Sequence, residues 1–283
     1  MITGSVDLHV NTGPCVLPRV GNAIEMARVA AAAGVRGWVI KSHYESTVGR
    51  AALVETAVPG FRCVGGVALN DYVGGINPAA VRAALLSGGQ LVWMPSLHAE
   101  NHVKVVGKGR AAVGPGDPGA GEGLRVTDAG GELLPETREC IDLARLHRAV
   151  IGTGHISLQE IEAVVDYCVA GGVPVVINHP YFVVQGPEDF FVSMARKGAW
   201  IEVCGAVVMP VHPVATLEQV ASLVRNCTPS RCILASDGGS VQLPIPHEIV
   251  RSVSWNLVKF GIPQDDVRAM ATTNPARLLG WNN

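Results

Sequence analysis

The sequence predicts an α/β chain folded as a single (β/α)8 barrel, a TIM barrel. Three observations carry this. Eight apolar runs of strand length recur along the 283 residues, most are followed by an amphipathic helical stretch, and side chains able to bind metal stand where the apolar runs end. Continuously apolar strands are those buried on both faces, and strands alternating with helices make parallel βα units. Eight units favour a closed barrel over an open sheet, and the C-terminal strand ends are where such a barrel builds its active site. The length suits one barrel of roughly 250 residues, so 1–283 is read as one domain.

The elements follow in order. The first run, Val6–Val10, brings His9 and Asn11 to its end, and the helical stretch Val20–Ala33 closes on Gly34, a fitting helix C-cap. The second, Gly37–Ser42, delivers Lys41 and His43; Cys63–Leu69 and Leu91–Pro95 are the third and fourth. After the helix Glu136–Arg148, the fifth, Ala149–Gly154, leads to His155, and after Leu158–Ala170 the sixth, Val173–Asn178, leads to His179. The seventh, Trp200–Cys204, contains Glu202, whose register the sequence leaves open. The helix Ala215–Asn226 precedes the eighth, Cys232–Ser236, which stops at Asp237 followed by two glycines. One segment breaks the rhythm: 97–132 is rich in Gly, has prolines at 115 and 118, and is too long for an ordinary connection. It reads as a lid over the barrel mouth, or as a disordered surface insertion.

Composition narrows the class. With 48% hydrophobic and 16% charged residues the chain can bury a large core, and disorder is excluded. A net charge of −2 gives no footprint for nucleic acid or an anionic membrane. No apolar run reaches the roughly 18–20 residues of a membrane span, and MITGSVDLHV lacks the basic and apolar regions of a secretory signal. Seven cysteines lie scattered without a CxxC, as reduced thiols do, so a cytoplasmic location is expected. The glycine-rich GKGRAAVGPGDPG lacks the G-x-x-x-x-G-K-[ST] phosphate loop, and no G-x-S-x-G elbow occurs. The expected partner is a small-molecule substrate, with self-association open.

The chemistry rests on strand-end residues. His155 and His179 come from neighbouring strands, and converging neutral imidazoles suit Zn²⁺ or a similar first-row ion. His9 and Asn11 share a strand face, since side chains repeat every second residue, so both can address one ion. Each histidine alone is as readily a satisfied structural one; the set shifts the balance.

The ordered set resembles the amidohydrolase superfamily: D-x-H-x at the first strand (Asp7, His9), His155 at the fifth, His179 at the sixth, Asp237 at the eighth, and the tail TTNPARLLGW (Thr272–Trp281). The resemblance spans Asp7 to Trp281 and points to a small branch of metal-dependent hydrolases. It implies a distorted barrel holding one or two divalent ions, zinc first, with Mn, Co or Fe as alternatives. His9 and Asp237 would ligate the more buried ion, and His155 and His179 a second ion or the rest of a single site. Asp237 would also act as general base, taking a proton from the attacking water and passing it to the leaving group. Where the family has a second histidine this chain has Asn11, a weaker oxygen donor, which favours a single ion. The fourth strand ends without the lysine that many relatives carboxylate. Lys41 is then a ligand in carboxylated or neutral form, an anchor for a substrate carboxylate, or an ordinary lysine paired with Glu45. His43, His98, His102 and Glu202 are candidates for binding substrate or stabilising an oxyanion, as surface positions are for each histidine.

The resulting expectation is a metal-dependent hydrolase of an amide, cyclic amide or imide, with lactone or ester hydrolysis close behind. A non-oxidative decarboxylase using one ion is the second reading, and a barrel that has lost its metal is the third.

Overall fold

A computed structural model describes residues 2–107, 121–211 and 213–281. Among the described residues the strands are β1 (Val6–Asn11), β2 (Gly37–Lys41), β3 (Arg62–Val64), β4 (Gly66–Ala68), β5 (Leu91–Trp93), β6 (Val150–Gly152), β7 (Val175–Ile177), β8 (Trp200–Cys204) and β9 (Cys232–Ala235). Each pairs in parallel with the next, as βα units require, but in two sheets, β1-β2-β3 and β4 through β9.

The break falls inside the expected third strand. A Cβ on Gly65 would lie 2.6 Å from the backbone of Thr47. Thr47 also takes over the ladder groups of the next residue: its N–H donates to the Gly66 carbonyl at 3.0 Å, and its Oγ1 accepts from the Gly66 N–H at 3.0 Å. The polar groups of Gly66 are thus satisfied by the turn after β2 rather than by β2 itself. At the other edge an isolated parallel bridge joins Val10 to Gly238, and the Asn11 N–H donates to the Gly238 carbonyl at 2.9 Å.

The helices are α1 (Ala23–Ala32), α2 (Val48–Ala57), α3 (Pro78–Leu86), α4 (Glu100–Val106), α5 (Pro135–His147), α6 (Leu158–Ala170), α7 (Glu188–Lys197), α8 (Leu217–Cys227), α9 (Pro246–Lys259), α10 (Gln264–Ala271) and α11 (Thr273–Leu278). Several starts are written in the sequence: Asn22 with Glu25, Ser157 with Glu160, and Thr216 with Gln219 form reciprocal capping boxes. Gly34 follows the α1 cap with a φ of 86°, a left-handed conformation that glycine adopts without cost.

Strand alternation sorts the core into two layers. Val92, Ile151, Val175, Ile177, Ile201 and Val203 pack in the same cluster as α5, α6 and α7. Their neighbours Leu91, Trp93, Val150, Val176, Trp200 and Ile233 form a second cluster, completed by Ala276, Leu278, Leu279 and Trp281 from α11 and beyond. This settles the register of β8: Glu202 shares the face of Trp200, away from the helices. The tail is tied down by the Asn274 amide, which donates to the carbonyls of Pro229 and Cys232 at 3.0 and 2.8 Å.

The expected lid falls partly outside the described residues, which omit 108–120. Its described ends include α4, which the glycine-rich composition did not suggest, and Leu124, which bridges back to Ala99. No described helix is long and apolar enough to cross a membrane.

Two glycines give the architecture a direct test. Gly65→Ala should cost about 1–3 kcal/mol in urea unfolding, because its Cβ meets fixed backbone. Gly49→Ala, in α2 with open space around it, should gain about 0.5–1 kcal/mol. Equal effects would contradict the packing at Gly65.

Candidate functional site

Glu202 is 1% exposed, and its carboxylate is fully engaged. Its Oε1 lies 3.1 Å from His9 Nδ1 and accepts the His179 backbone N–H at 3.1 Å; its Oε2 accepts from the Asn178 amide at 2.9 Å. One side chain of β8 therefore fixes residues from β1 and from the end of β7. Asn178 in turn accepts the Gly154 N–H at 2.9 Å, which sets the chain just before His155. Asp7 plays the matching part between β1 and β9, accepting the N–H groups of His9 at 3.0 Å and Ser236 at 3.1 Å.

Backbone strain concentrates at the same strand ends. His179 has a φ of 29° and Asp237 of 49°, left-handed values that non-glycine residues seldom adopt. Such a conformation costs on the order of 1–3 kcal/mol and persists where surrounding bonds over-determine it. Here those bonds are Glu202 to His179 and, for Asp237, Asn11 Nδ2 donating to Oδ1 at 3.0 Å with His9 Nε2 also 3.0 Å away.

The structure brings together most of the residues singled out by sequence. His9, His179 and Glu202 each offer a ligand atom within 4.8 Å of the others, all buried. Asp237 lies against His9, and His155 Nε2 lies 3.2 Å from His179 Nε2. His102, from α4, places Nδ1 2.7 Å from His155 Nδ1 with the rings stacked, so three imidazoles run in series. Lys41 is 2% exposed and its Nζ is 3.0 Å from His9 Nε2; it is not paired with Glu45, which binds Arg50 instead. His43 lines the cavity above them, with Nδ1 2.8 Å from Ser96 Oγ.

Two candidates for binding substrate lie outside the cavity lining. Glu202 lies at the floor beside His9 and His179, because β8 turns it inward. His98 is held elsewhere: its Nδ1 accepts the Asp71 N–H at 2.9 Å, its ring packs on Tyr72, and it does not line the cavity. Sequence reading gave no part to Asn178, and Asp7 entered only as a letter of the first-strand motif. Both are polar residues at or within apolar strands, a signal for the bracing role each one plays. Arg19, which also lines the cavity, lies in an irregular loop with no such signal.

Electrostatics divide the cluster. For His9, burial opposes the charged form, yet the carboxylates of Asp237 and Glu202 prevail over burial and Lys41 and raise it to about 9. Burial also opposes ionisation of Glu202 and Asp237, but the His9 charge outweighs it and lowers both. Burial lowers His179 to about 4 and takes His155 and His43 well below the usual imidazole range; it also lowers Lys41. The site is thus an ion-paired His9 beside neutral imidazoles.

These donors fit a divalent cation. Two neutral Nε2 atoms facing each other must share a proton unless a cation takes their lone pairs, and His179 Nδ1 and Asn11 Oδ1 are buried without a partner. Imidazole nitrogens with carboxylate oxygens are the donor set of first-row metals. The cavity above has a volume of about 480 Å³.

Comparisons with known proteins agree with the architecture. The model of a family of unknown function, DUF6282, matches residues 4–202. No curated protein matches in sequence. A solved amidohydrolase from Pseudomonas aeruginosa superposes with a TM-score of 0.69 at 11% identity, over 98% of this chain and 95% of that one. A probable 2-pyrone-4,6-dicarboxylic acid hydrolase from Acinetobacter baumannii gives 0.62 at 13%, over 98% and 100%. A 2,6-dihydroxybenzoate decarboxylase gives 0.57 at 12%, over 99% and 100%. At these identities the likeness is one of fold alone.

The buried imidazoles set a pH response for chelator-treated protein. His179, His155 and His43 accept protons readily only when unfolded, so stability should fall as pH drops from 6.5 towards 4. Asp7, raised to about 6 by burial against its hydrogen bonds, works the other way between 3.8 and 6 and offsets part of the loss. Thermal unfolding across this range should show the decline, reduced in His179→Gln; a flat profile would contradict neutral buried imidazoles.

Proposed function

We propose that this chain, which belongs to the DUF6282 family, is a metal-dependent hydrolase that cleaves a C–N bond of an amide, cyclic amide or imide, with lactone and ester as related substrates. The observation that carries the reading is the convergence of His9, His179, Glu202, His155 and Asp237 beneath one cavity. An amidohydrolase and a probable 2-pyrone-4,6-dicarboxylic acid hydrolase stand among the structural neighbours, which supports the same class.

His9, His155, His179 and Asp237 would hold the ion, with Glu202, Asn11 and Lys41 as the further donors within the cluster. A bound zinc or similar divalent ion supplies Lewis acidity and lowers the pKa of water by several units. Asp237, ionised and partly exposed to the cavity, accepts the proton of the attacking water and returns it to the leaving nitrogen. Asn11 holds that carboxylate through Nδ2, and Lys41, its ammonium disfavoured by burial, leaves room for a cation beside His9. His102 fixes the ring of His155 from behind, the kind of outer support that sets a ligand's orientation. His43, on the cavity wall, is placed to donate to a developing oxyanion.

Asn11 favours a second reading. An amide in place of an imidazole weakens one of two ion positions, and a single-ion centre also suits a non-oxidative decarboxylase, the activity named for one structural neighbour. The products separate the two: a new carboxylate with an amine, or CO₂ from an aromatic or enolic acid.

Two variants test the centre. His179→Ala should lose bound metal and turnover together, as three- and four-ligand sites tolerate ligand loss poorly. Asp237→Asn should keep much of its metal while kcat falls by about 10²–10⁴-fold. Elemental analysis with turnover on a panel of amides and cyclic imides checks both. Full metal in the first variant, or wild-type rates in the second, would defeat the assignment.

A further inference from the structure

The loop between β1 and α1 carries one arginine aimed into the cavity and ties down its backbone at two points. Arg19 bridges to Ser240, and the next N–H, from Val20, donates to the Gly239 carbonyl at 3.0 Å. The loop is thereby fastened to the turn that follows Asp237. A second arginine, Arg50, braces the loop from outside: its guanidinium donates to the carbonyls of Thr12 and Pro14 at 3.0 and 2.7 Å and pairs with Glu45. The contrast between the two is informative. Both terminal nitrogens of Arg50 are bonded, whereas Arg19 lines the cavity, its Nε is buried and meets no acceptor, and no described carboxylate pairs with it.

Its surroundings narrow what could pair with it. The cavity is walled largely by apolar side chains, among them Leu97, Val106, Phe182, Val207 and Leu243. The acid facing the cavity, Asp237, is already bound by His9 and Asn11. The charge on Arg19 also opposes protonation of Lys41 and His43, so it acts on the same space as the polar floor. A buried guanidinium donor without an acceptor is costly to keep, unless the acceptor arrives with the ligand.

We infer that Arg19 is the substrate-binding residue of this cavity, and that it receives a carboxylate carried on a compact apolar body. A planar guanidinium offers two parallel donors matched to one carboxylate. A carboxylate brings one negative charge towards Asp237 where a phosphate dianion would bring two, so the carboxylate is the better match. The inference rests on the reading of the cavity as an enzyme's active site and specifies its substrate class.

The test uses the full-length protein, as purified without chelator, with metal content measured in every sample. Binding of benzoate, benzamide and phenylphosphonate is followed by titration calorimetry. In Arg19→Met, benzoate should bind roughly ten- to thirtyfold more weakly, with benzamide binding, melting temperature and metal content unchanged. Arg19→Lys, which keeps the charge but not the fork, should recover part of the loss. Benzoate binding insensitive to Arg19→Met, phenylphosphonate bound more tightly than benzoate, or no benzoate binding by wild type at about 10 mM, roughly tenfold above a weak millimolar Kd, would each overturn the assignment. The two readings fail separately. Arg19-dependent benzoate binding in a protein that holds no metal keeps this inference and sinks the metal-dependent activity; full metal with Arg19-independent binding does the reverse.

Discussion

A carboxylate buried to 1% exposure has to be satisfied by the groups around it, and at Glu202 that requirement organises the whole site. Its oxygens are met by His9 from β1, by the Asn178 amide and by the His179 backbone at the end of β7. Removing any one of these would leave a charge or a donor stranded in the interior. The strained φ of His179 is thus held by an electrostatic need, and the imidazole it presents points at His155 as a consequence. Asp7 repeats the device across β1 and β9 with backbone donors alone, bringing Asp237 against His9.

The scaffold around this cluster is apolar to a degree that makes such bonds decisive. Trp93, Val176, Trp200 and Ile233 fill the same strand faces below the polar residues, and Trp281 with α11 completes that layer. Polar side chains set above such a layer have no water beneath them and must find each other. At His9 the pull of Asp237 and Glu202 prevails over burial and raises the imidazole; at His179, which feels the same two carboxylates, and at His155 and His43, burial prevails and keeps the ring neutral.

Much of this was legible in the residues. Continuous apolar runs marked the strands; the capping boxes at Asn22 and Thr216 were present but unused, and the helical stretches expected from Val20 and Ala215 begin just after those caps. The habit of ending a run on His, Lys or Asp pointed to His9, Lys41, His155, His179 and Asp237 by position alone. What escaped was information held in three dimensions. Strand period cannot say which face of β8 looks inward, so the register of Glu202 stayed open and it stood only as a candidate for binding substrate. The split at Gly65 depends on the distant backbone of Thr47, to which no local pattern refers. His98 shares its short motif with His102, yet Asp71 captures one while His155 captures the other. Arg19 sits in a loop whose path is set by contacts with residues 238–240, far along the chain.

Diffraction collected at successive metal absorption edges, from crystals of protein purified without chelator, would question the cluster most directly. The account predicts an anomalous peak, at least one per chain, within coordinating reach of His9, His179 and the carboxylate of Asp237 or Glu202. Well-ordered histidines in the arrangement described, with no peak among them after soaking in Zn²⁺, Mn²⁺ or Co²⁺, would contradict it.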